Sequence, residues 1–132
     1  MPSQEVTPGI HRRFLTASRV TVARFTLGRG TSVPVHSHDH EQISYVVRGV
    51  LRFHLGGPAA AAASDSAAVA GAKDGSPVES VAKDLIVRTG EVLEIPSWIE
   101  HGVDALEDTE VIDVFSPVRQ DWVDGTDTYF KK

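Results

Sequence analysis

Apolar and polar residues alternate with a period of two along most of the chain, in short runs broken by glycine, which is the pattern of strands and turns. In Arg19–Gly28, Thr21, Ala23, Phe25 and Leu27 fall on one face and Val20, Val22, Arg24 and Thr26 on the other. A strand covered on one side and partly on the other reads this way. The run ISYVVRG ends at Gly49, and VLRFHLGG then sets Leu51, Phe53 and Leu55 against Arg52 and His54, with Gly49, Gly56 and Gly57 as turn residues. Alternation resumes in LIVRTGEVLEIP and in HGVDALEDTEVIDVFSP, where Glu107–Thr109 is predicted to be a hairpin turn. Short strands at this spacing predict an all-β sandwich or barrel.

Between positions 58 and 84 the pattern stops. This stretch is rich in Ala, Ser and Gly and short of large apolar residues, so it is an insertion that adds little core, either a short Ala-rich helix over Pro58–Val69 or a mobile surface loop. Residues 1–18 form an irregular N-terminal arm, and residues 118–132 a tail. The tail's Trp122, Tyr129 and Phe130 are expected to cover a barrel edge or a dimer seam rather than to form a ligand site. With 132 residues, one domain spanning 1–132 is expected.

Charge and composition remove several classes of function. The formal charge of −5, without a Lys/Arg run, argues against nucleic acid and anionic membrane surfaces as partners. A small molecule and a second copy of the chain are the expected partners. There is no cysteine, so any metal must rest on His, carboxylate or amide. The N-terminus has no apolar signal core, and no apolar run approaches the roughly 20 residues of a membrane span; a soluble cytoplasmic protein is expected.

Chemistry concentrates in VHSHDHEQISYVVRG, residues 35–49. His36 and His38 are two apart, so on an extended strand both imidazoles face the same side and can chelate. Gln42, Ser44 and Val46 share one face beyond the polar HDHE segment. Glu41 is the adjacent carboxylate and His40 an additional imidazole; an adjacent residue points to the opposite face. Far along the chain, GEVLEIPSWIEH supplies His101. In VIDVFSP, Asp113 is either a buried carboxylate fit for acid–base work or an exposed edge residue.

These spacings resemble the cupins. Gly30, His36, His38, Gln42 and Gly49 match the first cupin motif, with glutamine where the family has glutamate; Gly90, Pro96 and His101 match the second, with Trp98 in place of a glycine and Ala105 in place of an asparagine. The resemblance implies a double-stranded β-helix, a jelly-roll barrel carrying the Ala/Gly-rich insertion between strands. It also implies one divalent transition metal (Zn, Ni, Mn or Fe) held by His36, His38, Gln42 and His101. A neutral glutamine leaves the ion's charge uncompensated, which favours Lewis-acid chemistry on an anionic substrate.

HSHDHEQISYVVRG together with DVFSPVRQDW further resembles the KdgF-type pectin-degradation cupins. That family implies conversion of 4,5-unsaturated monouronates to linear keto sugars, with Asp113, Phe115 and Arg119 on the substrate side. Arg119 would pair with the uronate carboxylate. The alternatives are a cupin polyketide cyclase or quercetinase-like dioxygenase, and a non-catalytic cupin that binds a ligand or metal.

Overall fold

In the computed structural model, which describes residues 3–56, 60–61, 67–70 and 83–125, strands dominate. They are β1 (Gln4–Thr7), β2 (Ile10–Thr16), β3 (Thr21–Leu27), β4 (Ser32–His36), β5 (Glu41–Arg48), β6 (Val50–Leu55), β7 (Ala60–Ala61), β8 (Ala67–Ala70), β9 (Lys83–Arg88), β10 (Val92–Ile95), β11 (His101–Ala105) and β12 (Thr109–Ser116), followed by one short helix, α1 (Gln120–Asp124). The larger sheet runs in the order β1-β2-β3-β12-β5-β10-β8-β7 and the smaller in the order β4-β11-β6-β9. Among the described strands, β8 beside β10 is the one parallel pair.

The period-two pattern has a direct structural meaning. β3 buries Thr21, Ala23, Phe25 and Leu27 and turns Val22, Arg24 and Thr26 outward; β6 buries Leu51, Phe53 and Leu55. The inner faces share one core, with Ile10, Phe25, Val46 and Leu93 from the larger sheet against Leu51, Phe53, Val87 and Ala105 from the smaller. Each large apolar side chain buried here contributes roughly 1.5–3 kcal/mol. On β12 the inward set is Val111, Asp113 and Phe115, so Asp113 is buried at 8% exposure.

Several expectations need correction. Residues 4–16 are not an irregular arm: β1 and β2 extend the larger sheet, with His11, Arg13 and Leu15 outward. An inward arginine hid this pattern, because Arg12, only 3% exposed, occupies a core-facing position with its guanidinium 4.3 Å from the Trp122 ring. The predicted Glu107–Thr109 hairpin is instead a crossing, since β11 belongs to the smaller sheet and β12 to the larger. Within Pro58–Val69 the described residues, 60–61 and 67–69, are extended strand, in β7 and β8, and not helix. The rest of that stretch, and Tyr129 and Phe130, lie outside the described residues.

Gly49 shows why one corner demands glycine. The β5–β6 connection also crosses between sheets and abuts the β11–β12 crossing. Gly49 has φ +106° and a Cβ there would meet the Thr109 Oγ1 at 2.3 Å and the Asp108 carbonyl at 2.6 Å. Among the described residues, no helix is long and apolar enough to cross a membrane.

Candidate metal centre

The smaller sheet and the loop beside it gather three histidines. His36 ends β4 and His101 opens β11, and the two are paired directly across the sheet. His38 follows in the loop to β5. One ring nitrogen from each lies within 4.8 Å of the others, and the ring centroids are 4.4 Å (His36–His101), 4.9 Å (His38–His101) and 5.6 Å (His36–His38) apart.

Backbone carbonyls fix which nitrogen faces inward. The Nδ1 of His36 bonds the Pro34 carbonyl at 2.7 Å, that of His101 the Ile99 carbonyl at 2.8 Å and that of His38 the His40 carbonyl at 3.1 Å. A carbonyl only accepts, so each Nδ1 carries the proton and each Nε2 keeps its lone pair. The Nε2 atoms of His38 and His101 are buried without a hydrogen-bond partner, a costly state for a dry polar atom and the expected one for a ligand awaiting an ion. Burial pushes the His101 imidazolium down to about 3 and that of His38 down to about 4, so both are neutral near pH 7 as ligation requires. These residues fit a transition-metal ion.

The other expected residues surround the same cavity. Gln42 on β5 is 5% exposed, its Nε2 donating to the Ser44 Oγ at 3.0 Å. It lines the cavity with His36, His101, Asp113, Phe115 and Arg119. Asp113 pairs in register with Ser44, and Phe115 with Gln42. Burial pushes the Asp113 carboxyl up to about 6, against the opposing pull of Ser44, Arg119 and Gln42; its Oδ1 has no hydrogen-bond partner. The Phe115 ring stands 5.7 Å from the His38 ring.

Arg119 is 1% exposed. Its Nε and Nη2 grip the Asp121 carboxylate at 3.0 and 2.7 Å, and its guanidinium lies 4.7 Å from the Phe115 ring and 4.3 Å from that of Trp122. One edge of the fork is therefore taken by Asp121, and the residue presents a fixed positive charge to the cavity. Trp122 was expected at an edge or seam; it is instead 4% exposed and forms part of the cavity wall. Nothing in a lone tail tryptophan signals this. Ser44 bonds both Gln42 and Asp113, and its one signal in the sequence is the parity it shares with Gln42.

The remaining candidates stand apart. Glu41 is exposed, on the opposite face of β5 from Gln42. His40 lies outside the triad, its Nε2 bonding the Val118 carbonyl at 3.1 Å, which ties the ligand loop to the segment before α1. His54 bridges Asp84 at 2.8 Å and Asp104 at 2.6 Å, and His11 lies 3.5 Å from Glu5.

No protein-family model and no curated protein matches the sequence. Solved structures do. KdgF from Halomonas sp. superposes with a TM-score of 0.69 at 28% identity, over 92% of this chain and 91% of that one. The fold is that of the cupins. An RmlC-like cupin from Shewanella frigidimarina matches with a TM-score of 0.66 at 23% identity, over 92% and 87% of the two chains. A Bacillus subtilis oxalate decarboxylase OxdC variant matches with a TM-score of 0.65 at 18% identity, over 88% of this chain and 27% of that one. The histidine triad of this chain can hold a transition metal.

Proposed function

We propose that this cupin is a metal-dependent enzyme acting on a small anionic sugar, converting 4,5-unsaturated monouronates to linear keto forms as the KdgF-type resemblance implies. The observation that carries the reading is the convergence of three tautomer-fixed imidazoles, two of which (His36 and His101) line one cavity with Gln42, Asp113 and Arg119. The likeness to KdgF, over nine-tenths of both chains, supports it.

His36, His38 and His101, with Gln42 as a neutral fourth donor, would hold the ion. A divalent ion bound there supplies Lewis-acid polarisation of a sugar oxygen. Asp113 has a hydrogen-bond-free Oδ1 in an apolar wall and is placed to take and return a proton. Arg119, immobilised by Asp121, gives the site the positive field that an anionic substrate requires. Phe115 walls the sugar.

The outer face of the larger sheet supports a homodimer. Leu15, Val22 and Ile43 are exposed there, joined in register through β12, and Tyr45 lies beside them; a second copy is proposed to cover this row.

The decisive experiment is elemental analysis of the purified protein, followed by assay with an unsaturated monouronate with and without oxygen. The expected result is about one divalent ion per chain and oxygen-independent turnover, with both lost in His36→Ala. Oxygen consumption would favour the dioxygenase alternative. A metal-free protein, or unchanged activity in His36→Ala, would falsify the reading.

A further inference from the structure

Pro96 to Ile99 forms a tight turn closed by the Ile99 N–H donating to the Pro96 carbonyl at 3.3 Å. Trp98 is the third residue of that turn, with φ +66°. Among the described residues it is the only non-glycine with a positive φ; the others are Gly9, Gly30, Gly49, Gly90 and Gly125. Left-handed backbone crowds any Cβ, so glycine is the residue this turn favours.

The side chain does not offset that strain by burial. Trp98 is 64% exposed, more than any other large apolar residue described. Both its backbone and its indole are therefore in unfavourable states, a combination that persists at positions held for function.

The surroundings say which function. The Trp98 N–H donates to the carbonyl of His38 at 2.8 Å, and Ser97 Oγ donates to the carbonyl of Asp39 at 2.5 Å. The carbonyl of the next residue, Ile99, holds His101 Nδ1 at 2.8 Å. The turn is thus anchored between two histidines of the triad. Those backbone tasks need only the turn, and glycine would perform them without strain; what tryptophan adds is an exposed aromatic face. The cavity itself measures about 50 Å³, room for an ion and a few waters. A whole sugar ring cannot be enclosed there, so only its reacting edge reaches Phe115 and Asp113 while the rest of the ring stays at the mouth.

We propose that Trp98 is a specificity residue, an aromatic platform that stacks on the apolar face of a cyclic sugar acid while its oxygens reach the triad. This deepens the proposed function and rests on it for the substrate class. A flat C–H face packs well on an indole, whereas an open-chain acid presents no such surface.

The test compares metal-loaded wild type, Trp98→Gly and Trp98→Phe. Trp98→Gly should melt about 3 °C higher because strain is relieved, keep its metal, and raise KM for the unsaturated monouronate roughly tenfold with kcat within about threefold. Trp98→Phe should fall between. A second readout uses the chain's two tryptophans: Trp122 is buried, so acrylamide quenching reports mainly on Trp98, and galacturonate should protect it. Protection without turnover of the unsaturated sugar would sink the proposed reaction and leave the platform standing. An unchanged KM in Trp98→Gly, or quenching indifferent to galacturonate, would overturn the platform.

Discussion

Replacing Asp113 by asparagine should make the protein more stable and far less active. The carboxyl is 8% exposed among Val111, Phe115 and Phe25, and burial raises it from 3.8 to about 6. The folded state therefore binds its proton more tightly than the unfolded chain. Stability from this group is full below pH 3.8 and is lost as pH rises through about 6. At ~1.4 kcal/mol per pH unit, that interval amounts to about 3 kcal/mol above pH 6. Asparagine carries no charge to desolvate, but it bonds less strongly to Ser44 and Gln42, which returns about 1 kcal/mol. The expected net gain is about 2 kcal/mol at pH 7.5.

Urea unfolding of the chelated protein between pH 4 and 8 measures it directly. Buried His38 and His101, held near 4 and 3, make both proteins gain stability as pH climbs through this range, so the readout is the difference between them: Asp113→Asn should gain on wild type across pH 4–6. With an ion bound the difference should shrink, since nearby positive charge favours the carboxylate. Turnover should drop at least about a hundredfold with metal content unchanged. If Asp113→Asn is the less stable protein at pH 7.5, or shows the same slope as wild type, burial does not control this carboxyl.

Trp122→Ala removes a buried ring that meets Phe14, Phe25 and Phe115 edge-on at 5.4, 5.9 and 5.0 Å and carries two guanidinium groups at 4.3 Å. The cost should be about 5 kcal/mol, half of a typical domain's stability, seen as a large fall in the denaturant midpoint with Trp122→Phe intermediate; a loss under about 1 kcal/mol would show that the ring carries little. Light scattering should give twice the 14.2 kDa chain mass, and Ile43→Lys on the outer face should give the monomer; a wild-type monomer would remove the proposed dimer.

The period of two was enough to assign β3, β5 and β6 and their inward residues, because side-chain alternation is a local property of extended backbone. The same alternation put His36 and His38 on one face, whereas the set of His36, His38, Gln42 and His101 came from the resemblance of the motif spacings to the cupins, because parity does not carry through the HDHE turn. Parity also kept Glu41 away from the cavity. β2 escaped notice because Arg12 points inward, and a buried guanidinium is recognisable only once Trp122 is seen above it.

What the sequence determined by itself was therefore local: strand, face, turn and the residues able to bind a metal. Only the tertiary structure decided which neighbours each strand takes, and this is where the Glu107–Thr109 turn became a crossing rather than a hairpin. It also decided the electrostatics. Asp113 could be buried or exposed on pattern alone, and its raised pKa follows from its burial beside Gln42 and Ser44 of β5 in the cavity wall. Arg119 and Asp121 are two residues apart, yet their fork matters because Phe115 and Trp122 hold it at the cavity wall. Desolvation and orientation depend on every element packed around a group, and no single segment encodes them.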